Sequence, residues 1–418
     1  MFLKKLNAGA LQLTLFIIIV IALLLFSFLL FVQTHNQLNL KKHVLAKTIN
    51  ISNYGVTYGL ENELEFNDTL HVDLKQNTNT SLKLYKSHWG IFERIVSSSK
   101  QKGIEIQKIA LVGGKQSTDD AIALYLEEHN KPLIVVGNTK IEGISFLPKR
   151  GVKSGNIAGQ SYYGTKLIYG EQKLSKSLPR LRSNEIKDGF QSVPNTFKSI
   201  EIKRNDTIKN SFLNPLMLLY HNDMLEISNV SVSGHVIIQS DKKIIVEPSA
   251  ILNDVLLIAP EVEISNNVKG VFQVFATKRI SIGNYVEMSY PSSIVLLKES
   301  SLRSNQLNKM LPDISIGENT VIKGVVCYQG NKQPNNYNSQ VLLKESTEVY
   351  GEVYCNQNLE LRGSVFGAVY TSNFVINHAG SVYQNHLYNA EINRNRLAPE
   401  YVGIQLNNTE KEVAKWLY

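Results

Sequence analysis

The chain has 418 residues, 43% of them hydrophobic and 19% charged, which is enough material for two or three folded domains. Its net charge of +8 is spread along the sequence and forms no aromatic-flanked basic stripe, so no nucleic-acid partner is expected. Two cysteines, Cys327 and Cys355, exclude a disulfide-built scaffold and a four-cysteine metal site.

Residues 1–7 carry Lys4 and Lys5 and read as a short cytoplasmic head. Residues 8–32 run without a charge and, at about 1.5 Å per residue, are long enough to cross a hydrocarbon core of roughly 30 Å. The run exceeds the usual apolar stretch of a cleavable signal, and Gln33-Thr-His-Asn-Gln offers no small-x-small cleavage site, so a retained transmembrane helix is predicted. A basic head before a single anchor favours the inner membrane, with residues 34–418 extracytoplasmic and membrane lipid as the partner of residues 8–32.

A short basic leader, then Gly9-Ala10, then an apolar helix continuing to about Ile49 resembles the head of a prepilin or minor pseudopilin. The resemblance implies cleavage between Gly9 and Ala10. The fifth residue beyond the glycine, usually Glu in that family, is Thr14 here.

Residues 33–130 read as a mixed α/β membrane-proximal region. Ile91, Phe92, Ile95 and Val96 have the spacing of a short amphipathic helix within Trp89 to Lys100. Ile104 to Val112, Ala121 to Leu126 and Leu133 to Val136 read as strands. Gly113-Gly-Lys-Gln-Ser-Thr lacks the glycine that a phosphate-binding loop needs at position 109, where Ile stands, and reads as a turn.

Residues 131–220 form a glycine-spaced β region with a linker. Gly151-Val-Lys-Ser-Gly-Asn-Ile-Ala-Gly and Gly164-Thr-Lys-Leu-Ile-Tyr-Gly have the style of stacked coils. Lys173, Lys176, Arg180 and Arg182 mark a solvated tract, and Phe212 to Tyr220 reads as an apolar helix.

The most specific signal lies in residues 221–395. Ile244-Ile-Val-Glu-Pro-Ser-Ala, Val262-Glu-Ile-Ser-Asn-Asn-Val and Ile280-Ser-Ile-Gly-Asn-Tyr-Val repeat at intervals of 18, Ile314-Ser-Ile lies over Val341-Leu-Leu, and Val349-Tyr-Gly-Glu-Val-Tyr recurs as Val365-Phe-Gly-Ala-Val-Tyr. A period of roughly 16 to 20 residues built from short alternating strands predicts a parallel β-solenoid of about nine coils, near 40 Å long. Gly324, Gly351, Gly363, Gly367 and Gly380 are expected at its corners. Counted from their matching glycines, Cys327 and Cys355 differ by one position, which points them to opposite faces and forbids a disulfide between them. The repeat style is similar to that of bactofilins, whose right-handed β-helix polymerises end to end, and the resemblance implies self-association. Residues 396–418 read as a helical cap.

Nine scattered histidines form no ligand pair, and no Gly-x-Ser-x-Gly elbow is present. Glu247, Glu263 and Glu287 fall at different repeat positions, while Glu299 and Glu345 match only inside a copied corner. No catalytic residue, metal or cofactor is expected. The fold class is mainly β, with a single transmembrane helix, a mixed α/β region and a β-solenoid. The expected function is a non-enzymatic envelope protein whose solenoid docks a protein partner or a second copy. A minor pseudopilin-like subunit of a pilus or secretion machine and a carbohydrate-binding or carbohydrate-active β-helix are the alternatives.

Overall fold

The computed structural model describes residues 9–74, 80–116, 122–182, 205–298, 311–332, 336–407 and 409–418. The head at 1–7, residues 183–204 of the linker and residues 299–310, Glu299 among them, lie outside the described residues. Three layers follow one another: one long helix, an antiparallel sheet, and a large body of parallel ladders.

Helix α1 runs Gly9–Glu61, 53 residues or about 80 Å. From Leu11 to Val32 its apolar side chains are exposed. Its last turns are packed: Thr48, Ser52, Gly55, Val56 and Gly59 form a buried stripe at helical spacing. Both glycines let the helix approach the sheet closely. A Cβ on Gly55 would stand 2.2 Å from Ser97 Oγ, and one on Gly59 would stand 3.2 Å from Ile95. Ser52 Oγ donates to Ser97 O at 3.0 Å and Ser99 Oγ to Thr48 O at 2.8 Å, so the contact is hydrogen-bonded as well as apolar.

The sheet contains β1 (Thr69–Val72), β2 (Thr80–Trp89), β3 (Phe92–Gln101) and β4 (Ile104–Lys115), each antiparallel to the next. Val402–Gly403 and Lys411–Leu417 add to the free side of β4. Two expected helices are therefore strands. Trp89 to Lys100 ends β2 and forms β3; Ile95 packs toward α1 while Phe92 and Val96 pack toward the ladder body, so its apolar residues lie on both faces and their order along the chain mimics a helical pattern. The cap at 410–418 pairs with β4 despite its helix-favouring Glu, Lys and Ala, because a strand here completes the sheet and buries Leu417.

In the ladder body, strands repeat one above another in parallel. One apolar column stacks Leu225, Ile244, Val262, Ile280, Ile314, Val341 and Leu359 as direct partners. Longer strands turn corners: Ile251–Ile258 pairs with Ser231–Gly234 through its first half and with Val236–Ser240 through its second. Inward Val, Ile and Leu residues make one continuous core. Outside, Lys243 pairs with Glu263 at 2.6 Å and Lys269 with Glu287 at 2.7 Å across adjacent rungs. The expected helix at 212–220 is a turn followed by the strand Met217–His221, since a five-residue apolar run is too short for a helix and long enough for a rung.

The ladder also extends where chain order would not place it. Ser364–His378 pairs with Ile122–Leu126, which pairs with Ile144–Leu147, which pairs with Gln172–Leu174. Residues 122–174 thus continue the body beyond its C-terminal rung. The ladder body is inserted between β4 and its sheet neighbour Lys411–Leu417.

Candidate functional site

The body presents one flank to the sheet, and that junction holds most of the unusual chemistry. Trp89, Phe92 and Leu111 from the sheet pack with Leu256, Phe275, Val295 and Tyr354 from successive rungs. Cys327 belongs to this flank and Cys355 to the inner core, so the two thiols face opposite sides of their strands. Both are free and buried, and burial pushes the Cys355 thiol up to about 12.

Gly324, Gly351 and Gly367 stack in register at one corner. Their φ angles of 145°, 148° and 154° suit glycine, and a Cβ on Gly351 would stand 1.9 Å from Gly324 O. Gly363 lies at a neighbouring corner, where a Cβ would meet Thr347 O at 2.3 Å. Gly380 is not a corner of the stack. It sits with Ala379 in the tight turn of a hairpin pairing His378 with Ser381, at φ 79° with open space around it. Gly9 is exposed on α1, where a Cβ would touch nothing, with Ala10 next along the helix.

Beside the glycine seam stands Glu352, fully buried. Its ladder neighbours at the same rung position are Val325 and Ala368, so a carboxylate interrupts an apolar column. Its oxygens accept from Gln116 Nε2 at 2.5 Å and from the Ile404 backbone N–H at 2.5 Å. Gly403 leaves room for it: a Cβ there would stand 1.9 Å from Glu352 Oε2. Nearby, Tyr401 donates to Gly324 O at 3.0 Å and Tyr290 to Val402 O at 3.0 Å. Burial raises the Glu352 carboxyl to about 7, outweighing the two N–H donors and the field of Arg394.

Two further clusters bind sheet to body. Gln273 accepts from Ile91 N at 3.1 Å and donates to Trp89 O at 3.0 Å. Arg94 Nη1 lies 2.8 Å from His235 Nε2, while His235 Nδ1 lies 2.9 Å from Asn214 O. Burial and the neighbouring guanidinium lower the imidazole to about 4, so at neutral pH it is uncharged and accepts from Arg94. Within the sheet, buried Glu93 holds Lys411 at 2.9 Å and Lys86 at 3.2 Å.

Ser372, Glu127 and His129 also converge, as a serine, acid and imidazole. Ser372 Oγ donates to Glu127 at 2.5 Å and lies 3.0 Å from His129 Nε2, and Lys332 Nζ also reaches Glu127 at 2.5 Å. The acid accepts the hydrogen bond of the hydroxyl directly rather than orienting the far nitrogen of the imidazole, which is not the geometry of an activated nucleophile. Among the described residues no group of three or more His, Cys, Asp or Glu could hold a metal ion.

No family model matches the chain, and no curated protein sequence matches it. Among solved structures it is similar to the crystal structure of the competence-associated pilin ComZ from Thermus thermophilus, at 11% identity over 84% of this chain and 86% of that one, with a TM-score of 0.20. A likeness of that size carries no argument about fold or function.

Proposed function

We propose that the chain is a non-enzymatic, membrane-anchored, pseudopilin-like subunit that displays a β-solenoid on the outer face of its sheet. The observation that carries this reading is the division of α1. Leu11 to Val32, about 33 Å of helix, is apolar and exposed, which suits a bilayer or the packed helices of a filament, while Thr48 to Leu60 docks on an antiparallel sheet. The parallel columns, with their rungs at the repeat intervals, support the solenoid, and its position across the sheet from α1 leaves it free of the anchor. Placement of the body on the extracytoplasmic side of the inner membrane follows from the same proposal.

The test is the amino-terminal sequence of the mature protein taken from membranes, read by mass spectrometry of its first peptide. A mature chain beginning at Ala10 is the expected result. An intact Met1 would overturn the pseudopilin reading and leave a permanent single-pass anchor, with the solenoid as a docking surface for an envelope assembly.

A further inference from the structure

We propose that Glu352 is a proton-operated latch between the sheet and the ladder body, closed when the carboxyl is neutral and loosened when it is ionised. The inference rests on the crossing and not on how the chain is anchored. The backbone leaves the sheet after Lys115 and returns at Val402, and the two crossing strands are themselves paired, Val402 with Lys115 and Gly403 with Gly114. Glu352 reaches from the ladder body to both of them, one oxygen on Gln116 of the outgoing chain and the other on Ile404 of the returning chain. A single buried carboxyl therefore pins the two chains of the crossing at once.

A neutral carboxyl keeps both contacts: its carbonyl oxygen accepts from Ile404, and its hydroxyl donates to the Gln116 carboxamide once that amide turns its oxygen inward. The ionised form keeps the acceptors but carries a charge in a fully buried site. Little surrounds it that could neutralise that charge. Arg394 is buried with no partner on Nε, acts on Glu352 through space, and makes no direct ion pair with it among the described residues. Tyr290, Tyr370, Tyr401 and Cys327 face the same volume and are all held neutral by burial, and Glu412 acts on Tyr290 with the same sign of charge as Glu352.

The sign follows from linkage. The carboxyl sits at about 7 in the closed crossing against an ordinary 4.5 in the open one, so the latch is strongest below 4.5 and is lost as pH rises through 7. Hydrogen exchange of the backbone amides at 402–406, measured on the full chain in detergent micelles and corrected for the intrinsic rate, reads the opening. Protection should fall by up to about tenfold per pH unit between those limits, on the order of a hundredfold in total, and level off above them.

Glu352→Gln should flatten the profile, and Gly403→Ala, which places a methyl where the carboxyl sits, should give the loosened exchange at every pH. A wild-type profile without slope, or an unchanged slope in Glu352→Gln, overturns the latch. Should the variants not fold, wild-type infrared spectra decide. Glu352 is the one acid among the described residues pushed upward, so a protonated carboxyl band persisting at pH 6 is expected and its absence overturns the proposal.

Discussion

The carboxamide of Gln273 occupies the space that a side chain at Gly90 would need. A Cβ on Gly90 would stand 2.1 Å from Gln273 Oε1, and at φ 67° that backbone favours glycine. From there the amide serves the turn between β2 and β3 as a rung would, and Ser293 Oγ holds its oxygen at 2.9 Å from the next coil.

Gln273→Ala should therefore strand the Trp89 carbonyl and the Ile91 N–H in a buried site and cost about 1–3 kcal/mol. Gly90→Ala should cost at least as much, through strain and the displaced carboxamide. Denaturant melts of both variants check this, and wild-type stability in either would show that the turn does not depend on the clamp.

Glu93 joins buried Lys86 to half-buried Lys411. Removing it leaves Lys86, which burial already holds below its ordinary range, and Lys411 without a counter-charge. Glu93→Ala should cost about 3–5 kcal/mol. Replacing Lys411 alone by Met should cost less, because Glu93 keeps Lys86. The two melting curves, compared at one pH, give the order.

Between a seam glycine and one outside the seam, the cost should track contact rather than backbone angle. Gly351→Ala drives a methyl into Gly324 O and the Tyr401 hydroxyl and should lose about 3 kcal/mol or more. Gly380→Ala meets open space and should lose only the penalty of a left-handed angle, about 1 kcal/mol. Equal losses would mean that the seam does not depend on close approach.

His235 gives an acid-side dependence opposite in sign to that of Glu352. Its depressed value of about 4 means that the folded chain prefers the neutral ring, so this stabilisation is complete above 6.5 and disappears as pH falls toward 4. His235→Gln should remove the corresponding part of the fall in melting temperature between pH 7 and pH 4.5. An unchanged fall would place the acid sensitivity elsewhere.

The stacked part of the fold was legible because parallel pairing sets equivalent residues on one another. Ile244, Val262 and Ile280, which repeat at intervals of 18, are successive rungs. The addition of residues 122–174 to the far end was not legible, since pairing between segments distant in sequence leaves no period behind. Strands covered on both faces hid the sheet: β3 read as a helix for that reason, and Lys411–Leu417 did so through its intrinsic propensity. Glu352 did leave a signal. At the position after each seam glycine the sequence has Val325, Glu352 and Ala368, and a lone carboxylate in an apolar column marks a residue whose partners lie outside the repeat.

The insertion of the ladder body between two neighbouring strands also bears on mechanical load. A pull on the body that is resisted at α1 reaches the sheet through two chains side by side, hydrogen-bonded to each other at Lys115 and Val402, rather than through one flexible tether. Force divides between β4 and Lys411–Leu417, and their pairing across the sheet bears it. A chain joined in this way transmits tension as a ribbon and resists twisting about the joint, which keeps the body in a fixed orientation to its sheet.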